Sequence, residues 1–168
     1  MLGPLPSQSQ LNRTLLNNHG IKLTHQLGAG GFGSVWQGVE LHSSRKFAVK
    51  ILLPDNLLHY KNVKAELDHL QICSQHDRFP TFYYHGMTLG GVEYIVTELA
   101  AGDLRNLRMD SSLWNHGRLA YYGKQVLEGL LHLDYLGICH RDIKPANIFI
   151  SQEGDILIGQ CSSLFFVP

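Results

Sequence analysis

The chain has 168 residues, 44% hydrophobic and 17% charged, a globular composition that excludes disorder over most of its length. Lys+Arg is 14 and Asp+Glu is 14, so the formal net charge is zero with His neutral, and the basic excess of a non-specific nucleic-acid binder is missing. Apolar runs far shorter than the ~20 residues of a membrane helix, with no secretory signal at Met1–Gln10, point to the cytoplasm or nucleus, not secretion, with no membrane and no nucleic acid among the partners.

Residues 1–20 open with Pro, Ser, Gln and Asn and are expected to form a flexible leader. Strands are predicted at Ile21–Leu27, Ser34–Glu40 and Lys46–Leu53, the first two separated by glycines and the third closed by Pro54. Tyr60–Cys73 carries Val63, Leu67 and Leu70 at i, i+4, i+7 spacing and predicts a helix. Two more strands, Thr81–Thr88 and Val92–Glu98, flank Leu89-Gly90-Gly91. Gly117–Leu136 is the longest helical pattern. It has one stripe of Leu119, Val126, Leu130 and Leu133 and a second of Leu127 and Leu131, so it is expected to be covered from two sides. A short hairpin joins Ile148–Ile150 to Ile156–Ile158 around Gln152-Glu153-Gly154. This order defines an α+β chain of two unequal parts meeting near Ala100–Asp103. Cys73, Cys139 and Cys161 form no C-x-x-C pair and the histidines make no metal-binding spacing, so reduced thiols and no histidine metal site are expected.

Gly28-Ala29-Gly30-Gly31-Phe32-Gly33-Ser34-Val35 is a G-x-G-x-x-G-x-V string between two predicted strands. Phosphate oxygens approach backbone N–H groups only where no Cβ intervenes, which gives glycines at this spacing a function; a plain turn is the alternative. A Rossmann fingerprint must open a helix, and a Walker loop needs Gly-Lys-Ser/Thr, so neither fits. Lys50 follows Val35 by 15 residues, in the apolar stretch Phe47-Ala48-Val49-Lys50. A lysine there needs an anion, and Glu66 on the predicted helix supplies one; a lysine at a strand edge is the alternative.

His140-Arg141-Asp142-Ile143-Lys144-Pro145-Ala146-Asn147 concentrates polar and ionisable groups between the long helix and a short strand. With the glycine loop, the Ala-Val-Lys strand and the helical Glu in that order, the chain resembles the eukaryotic-type serine/threonine protein kinases. The resemblance implies a kinase N-lobe, a five-stranded antiparallel sheet plus one helix, over residues 21–99. It implies only the first part of the helical C-lobe over residues 100–159. It further implies that Gly28, Gly30 and Gly33 cover the phosphates of ATP, and that Lys50 holds them while paired with Glu66. Val35 and Ala48 roof the adenine, Phe149 is the floor, and the backbone of Glu98 and Ala100 forms the hinge. Asp142 accepts the proton of a protein hydroxyl, Lys144 neutralises the moving phosphoryl group, and Asn147 ligates magnesium. Lysine two residues after Asp142 is the serine/threonine pattern. Val96–Leu99 with Asp103–Leu107 is similar, over those few residues, to casein-kinase-like and tau–tubulin kinases.

The family's Asp-Phe-Gly, whose Asp carries the main magnesium, falls 13 residues after Asn147, where this chain reads Gln160-Cys161-Ser162. Asp155 stands five residues too early to replace it. A neutral amide removes a full charge from the site of a hard dication, an expected loss of ~3–5 kcal/mol in the transition state, or about 10²- to 10⁴-fold in rate. The smaller Cys161 in place of Phe is expected to loosen the helix carrying Glu66. Residues 160–168 form a divergent tail, and the abrupt end of the resemblance is what a truncation, a splice form or a misread gene would leave. Three outcomes follow: an impaired kinase acting on an unidentified protein substrate, a catalytically silent nucleotide-binding or interaction module (a pseudokinase), or a fragment unstable alone.

Overall fold

The computed structural model describes residues 8–30, 33–52, 64, 67–88, 90–107, 115–159 and 165–166. The chain separates into two units, Met1–Tyr60 with Phe82–Leu99, and Lys61–Thr81 with Ala100–Pro168. The later division falls at Leu99/Ala100, and residues 61–81 group with the second unit.

In the first unit, β1 (Ile21–Gly30), β2 (Gly33–Glu40), β3 (Lys46–Leu52), β4 (Phe82–Met87) and β5 (Glu93–Glu98) form one antiparallel sheet. Its strand order is β1-β2-β3-β5-β4. Side chains alternate across a strand, so β3 buries Phe47, Val49 and Ile51 on one face and leaves Ala48 and Lys50 half-buried on the other. The buried face continues through Ile21, Leu23, Tyr94 and Val96.

That face is covered by α1 (Gln8–His19), which corrects the expectation of a flexible leader for these residues; residues 1–7 lie outside the described ones. Leu11 and Leu15, one helical turn apart, enter the same core, and burying each is worth roughly 1.5–3 kcal/mol. Asn12 Oδ1 accepts the Leu23 N–H at 2.7 Å, and the Asn18 amide donates to the Tyr94 hydroxyl at 3.2 Å. His19 Nε2 is 3.0 Å from the same hydroxyl, and its ring stacks on Tyr84 at 4.2 Å. Gly20 ends the helix with φ of 66° and a bond from its N–H to the Leu16 carbonyl.

In the second unit, helical backbone at residues 67–73 (α2) leads through a loop to Thr81, the part of the predicted Tyr60–Cys73 helix that is described together with residue 64. After β6 (Gly102–Asp103) and α3 (Leu104–Leu107) comes α4 (His116–Tyr135), within a residue of its predicted bounds. Asn115 caps it, Oδ1 accepting the Arg118 N–H at 2.8 Å. β7 (Ile138–Cys139), a 3₁₀ turn (Pro145–Asn147), β8 (Ile148–Ile150) and β9 (Ile156–Ile158) follow. Their core contains Cys73, Phe79, Leu133, Ile138, Ile148, Ile150, Ile156 and Ile158.

α4 departs from the sequence reading. Leu133 is buried, but Leu119, Leu127 and Leu131 are 51%, 61% and 68% exposed, so among the described residues only one side of the helix is covered. In the tail, Phe165 and Phe166 form β10, antiparallel to β7 with Phe165 opposite Cys139. Residues 160–164 and 167–168 lie outside the described residues.

Candidate active site

The candidate residues fall in both units. Strand register places those of the first. Val35 pairs with Gly28 on β1 and Lys50 on β3, Lys50 with Ile95, and Ala48 with Thr97. Paired residues point to the same side, so Gly28, Val35, Ala48, Lys50 and Thr97 share the face opposite α1. Gly30 and Gly33 pair at the tip of the β1–β2 hairpin, and Phe32 lies outside the described residues. Gly33 has φ of 139°, and a Cβ there would lie 2.0 Å from the Ile51 carbonyl oxygen, so only glycine fits. Glu98 closes β5 opposite Phe47, and Ala100 opens the second unit. Glu66, the predicted partner of Lys50, lies outside the described residues.

The second unit gathers the polar loop. Asp142 Oδ2 accepts Lys144 Nζ at 2.8 Å and Asn147 Nδ2 at 2.7 Å, while the Asn147 amide also donates to the Asp142 backbone carbonyl at 2.8 Å. These hydrogen bonds, from Lys144 first and Asn147 second, with the nearby positive charge, hold the Asp142 carboxyl below its ordinary range. Arg141 before it has φ of 61°, a left-handed conformation in a residue with a Cβ.

His140 is buried and bonded through both ring nitrogens. Nε2 donates to the Gly159 carbonyl at 2.8 Å and Nδ1 accepts the Asp142 N–H at 3.3 Å, a pattern that fixes the neutral tautomer. Gly159 also donates its N–H to the Asn147 carbonyl at 2.7 Å, and a Cβ on it would stand 2.4 Å from the Phe149 ring. One glycine thus ties His140, Asn147 and Phe149 together. Sequence reasoning missed that role because a lone glycine at a strand end carries no signal until the ring beside it is placed.

A magnesium ion takes about six oxygens in near-octahedral array. The described loop offers the Asn147 amide oxygen and the Asp142 carboxylate, the latter already engaged by Lys144 and Asn147. No group of three or more His, Cys, Asp or Glu among the described residues is arranged for a metal. Gln160, where the family's metal carboxylate falls, lies outside the described residues. The described donors do not by themselves fit the ion.

The sheet with its glycine hairpin and the Asp-Lys-Asn loop beyond the long helix define the kinase fold class, with the N-lobe sheet and part of the C-lobe present. The family model "Protein kinase domain" matches residues 21–160, so the chain belongs to the eukaryotic-type serine/threonine protein kinase family. Among its relatives, "Serine/threonine-protein kinase dst2" of Dictyostelium discoideum is 28% identical over 80% of this chain and 12% of its own length. "Serine/threonine-protein kinase 1" of Arabidopsis thaliana is 30% identical over 80% of this chain and 16% of its own. "RAC family serine/threonine-protein kinase homolog" of Dictyostelium discoideum is 25% identical over 88% and 34%. The chain therefore spans about a third or less of the length of these relatives. Among the described residues, no helix is long and apolar enough to cross a membrane.

Proposed function

We propose that the chain binds ATP and supports phosphoryl transfer to serine or threonine hydroxyls of a protein substrate, with the transfer weakened by Gln160. The observation that carries this reading is the Asp142 carboxylate, ionised and bonded to Lys144 and Asn147. In this reading Asp142 takes the proton of the attacking hydroxyl as its oxygen bonds to the γ-phosphorus. The bond from that phosphorus to the bridging oxygen breaks, and ADP leaves. Lys144 offsets the negative charge in transit, and the α- and β-phosphates fall to Lys50 and the glycine hairpin, with Glu66 the family's counterpart to the lysine. The adenine roles fall, by family resemblance, to Val35 and Ala48, to the backbone of Glu98 and Ala100, and to Phe149. Asn147, assigned by the family resemblance as a magnesium ligand, holds the Asp142 carboxylate in place through its amide N–H.

The test is radiolabelled phosphoryl transfer to a generic basic protein with magnesium present. Asp142→Asn is expected to lower it about 10²- to 10⁴-fold, the usual worth of a positioned general base. Gln160→Asp is expected to raise it by a similar factor, because it restores a full negative charge. Equal incorporation by the wild type and Asp142→Asn rejects the reading. The amide at position 160 favours a second reading, a nucleotide-binding module without turnover. It predicts an ATP-dependent rise in melting temperature that is indifferent to magnesium, with no transfer.

A further inference from the structure

A stacked pair of histidines lies in the second unit, away from the Asp142 loop. The His76 ring, in the loop after α2, lies 4.4 Å from the His132 ring on α4 at an interplanar angle of 28°. Phe79 closes the cluster, its ring 5.9 Å from His132 and 6.1 Å from His76. His132 Nε2 is buried without a hydrogen-bond partner among the described residues. His76 Nδ1 accepts the Arg78 N–H at 3.1 Å, so its ring is a neutral acceptor; an imidazolium, with hydrogens on both nitrogens, cannot make this bond.

From Arg78 a continuous series of bonds reaches the 140–147 loop. The Arg78 carbonyl accepts the Ile158 N–H at 2.7 Å. The next residue, Gly159, donates to the Asn147 carbonyl and accepts from His140, and Asn147 holds Asp142. The Arg78 guanidinium secures the same junction from outside, 3.1 Å from Glu128 on α4 and 3.7 Å from Asp155 before β9.

We infer that His76 is a positioning residue for the 140–147 loop, and that its stack with His132 makes this support proton-sensitive. Protonating His76 removes the acceptor that holds Arg78. Protonating His132 places a charge face to face with His76 and buries a donor with nothing to receive it. Burial first, and a charge on His76 second, lower the His132 pKa, so the folded state favours the neutral ring. The charged and titratable groups on the elements meeting here are Asp68, His69 and Cys73 on α2, and Asp77 and Arg78 on the loop. On α4, besides His132, they are His116, Arg118, Tyr121, Tyr122, Lys124, Glu128, Asp134 and Tyr135, with Lys124 3.6 Å from Glu128, and before β9 Asp155, which accepts the Tyr121 hydroxyl. Arg78 is engaged by Glu128 and Asp155, and Cys73 is buried with its thiol pushed up to about 11, so it does not titrate in the same range. Because the folded His132 pKa is lowered, its part of the support is present above the ordinary histidine value of about 6.5 and is lost as pH falls through the lower folded value. It concerns the order of the loop, whether or not the loop turns over ATP.

The experiment is hydrogen exchange on the full chain, followed amide by amide by NMR. Between about pH 7.5 and about pH 5.5, protection at Ile158 and Gly159, corrected for intrinsic exchange, is expected to fall about tenfold while Val49 and Val96 in the sheet hold theirs. His76→Asn keeps an acceptor for the Arg78 N–H without a titrating ring and is expected to retain protection at the lower pH. His76→Phe is expected to lose it at both. Protection at Ile158 and Gly159 that does not change with pH overturns the inference, as does a loss shared equally by Val49 and Val96. An unchanged pH-dependent loss in His76→Asn assigns the effect to another group, His140 among them, and also overturns it.

Discussion

At the residue scale, the Asp142 loop is a set of mutually dependent hydrogen bonds rather than a collection of free side chains. The folded-state pKa of Asp142 is depressed, so whatever its pairing contributes to stability is present above the ordinary carboxylate range near 3.9 and is lost as pH falls through the lower folded value. Because Lys144 is the first cause, Lys144→Met is expected to move the Asp142 titration upward toward that range, measured by carboxyl NMR. No movement in the variant would assign the depression to Asn147 alone. The motif was legible because polar groups between apolar elements demand an explanation. The Gly159 junction was not, because its role arises from atoms of His140, Asn147 and Phe149 that meet only in the folded chain.

At the element scale, β1–β5, β8 and β9 follow their predicted positions within a few residues because alternation and β-branched content are local signals, whereas the two-residue strands β6, β7 and β10 are too short to carry one. β3 and the β8–β9 hairpin needed nothing from elsewhere in the chain. The α1 helix has no such signal. Five of its twelve residues, Ser9, Asn12, Thr14, Asn17 and Asn18, are of types that favour caps and turns, and its two inward leucines acquire meaning only against the sheet. Leu15 is fully buried and Leu16 is 40% exposed, so the neighbours make a matched test. By chemical denaturation, Leu15→Ala is expected to cost about 2–5 kcal/mol and Leu16→Ala about 0.5 or less. Equal small effects at both positions would contradict the docking of α1. Burial also lowers the His19 pKa, so its contribution is present above about pH 6.5 and is lost as pH falls through the lower folded value.

At the scale of the whole molecule, charge balance and exposed apolar surface act together. A net charge of zero removes the self-repulsion that keeps proteins apart, and Leu127 and Leu131 lie exposed in succession on one side of α4. Light scattering near neutral pH is expected to show less self-association for Leu127→Glu with Leu131→Glu than for the wild type. It should also fall in the wild type below about pH 6, where histidine protonation moves the net charge away from zero. Scattering that ignores both changes would locate the association elsewhere. The family match begins at Ile21, whereas the cover of the sheet begins with the helix before it. A recombinant fragment cut at the matched residue would leave Val49, Tyr94 and Val96 as a bare apolar floor, and its insolubility could be misread as a defect of the kinase fold. The boundary drawn by homology and the boundary drawn by packing differ here by one helix, and a useful fragment starts at the second.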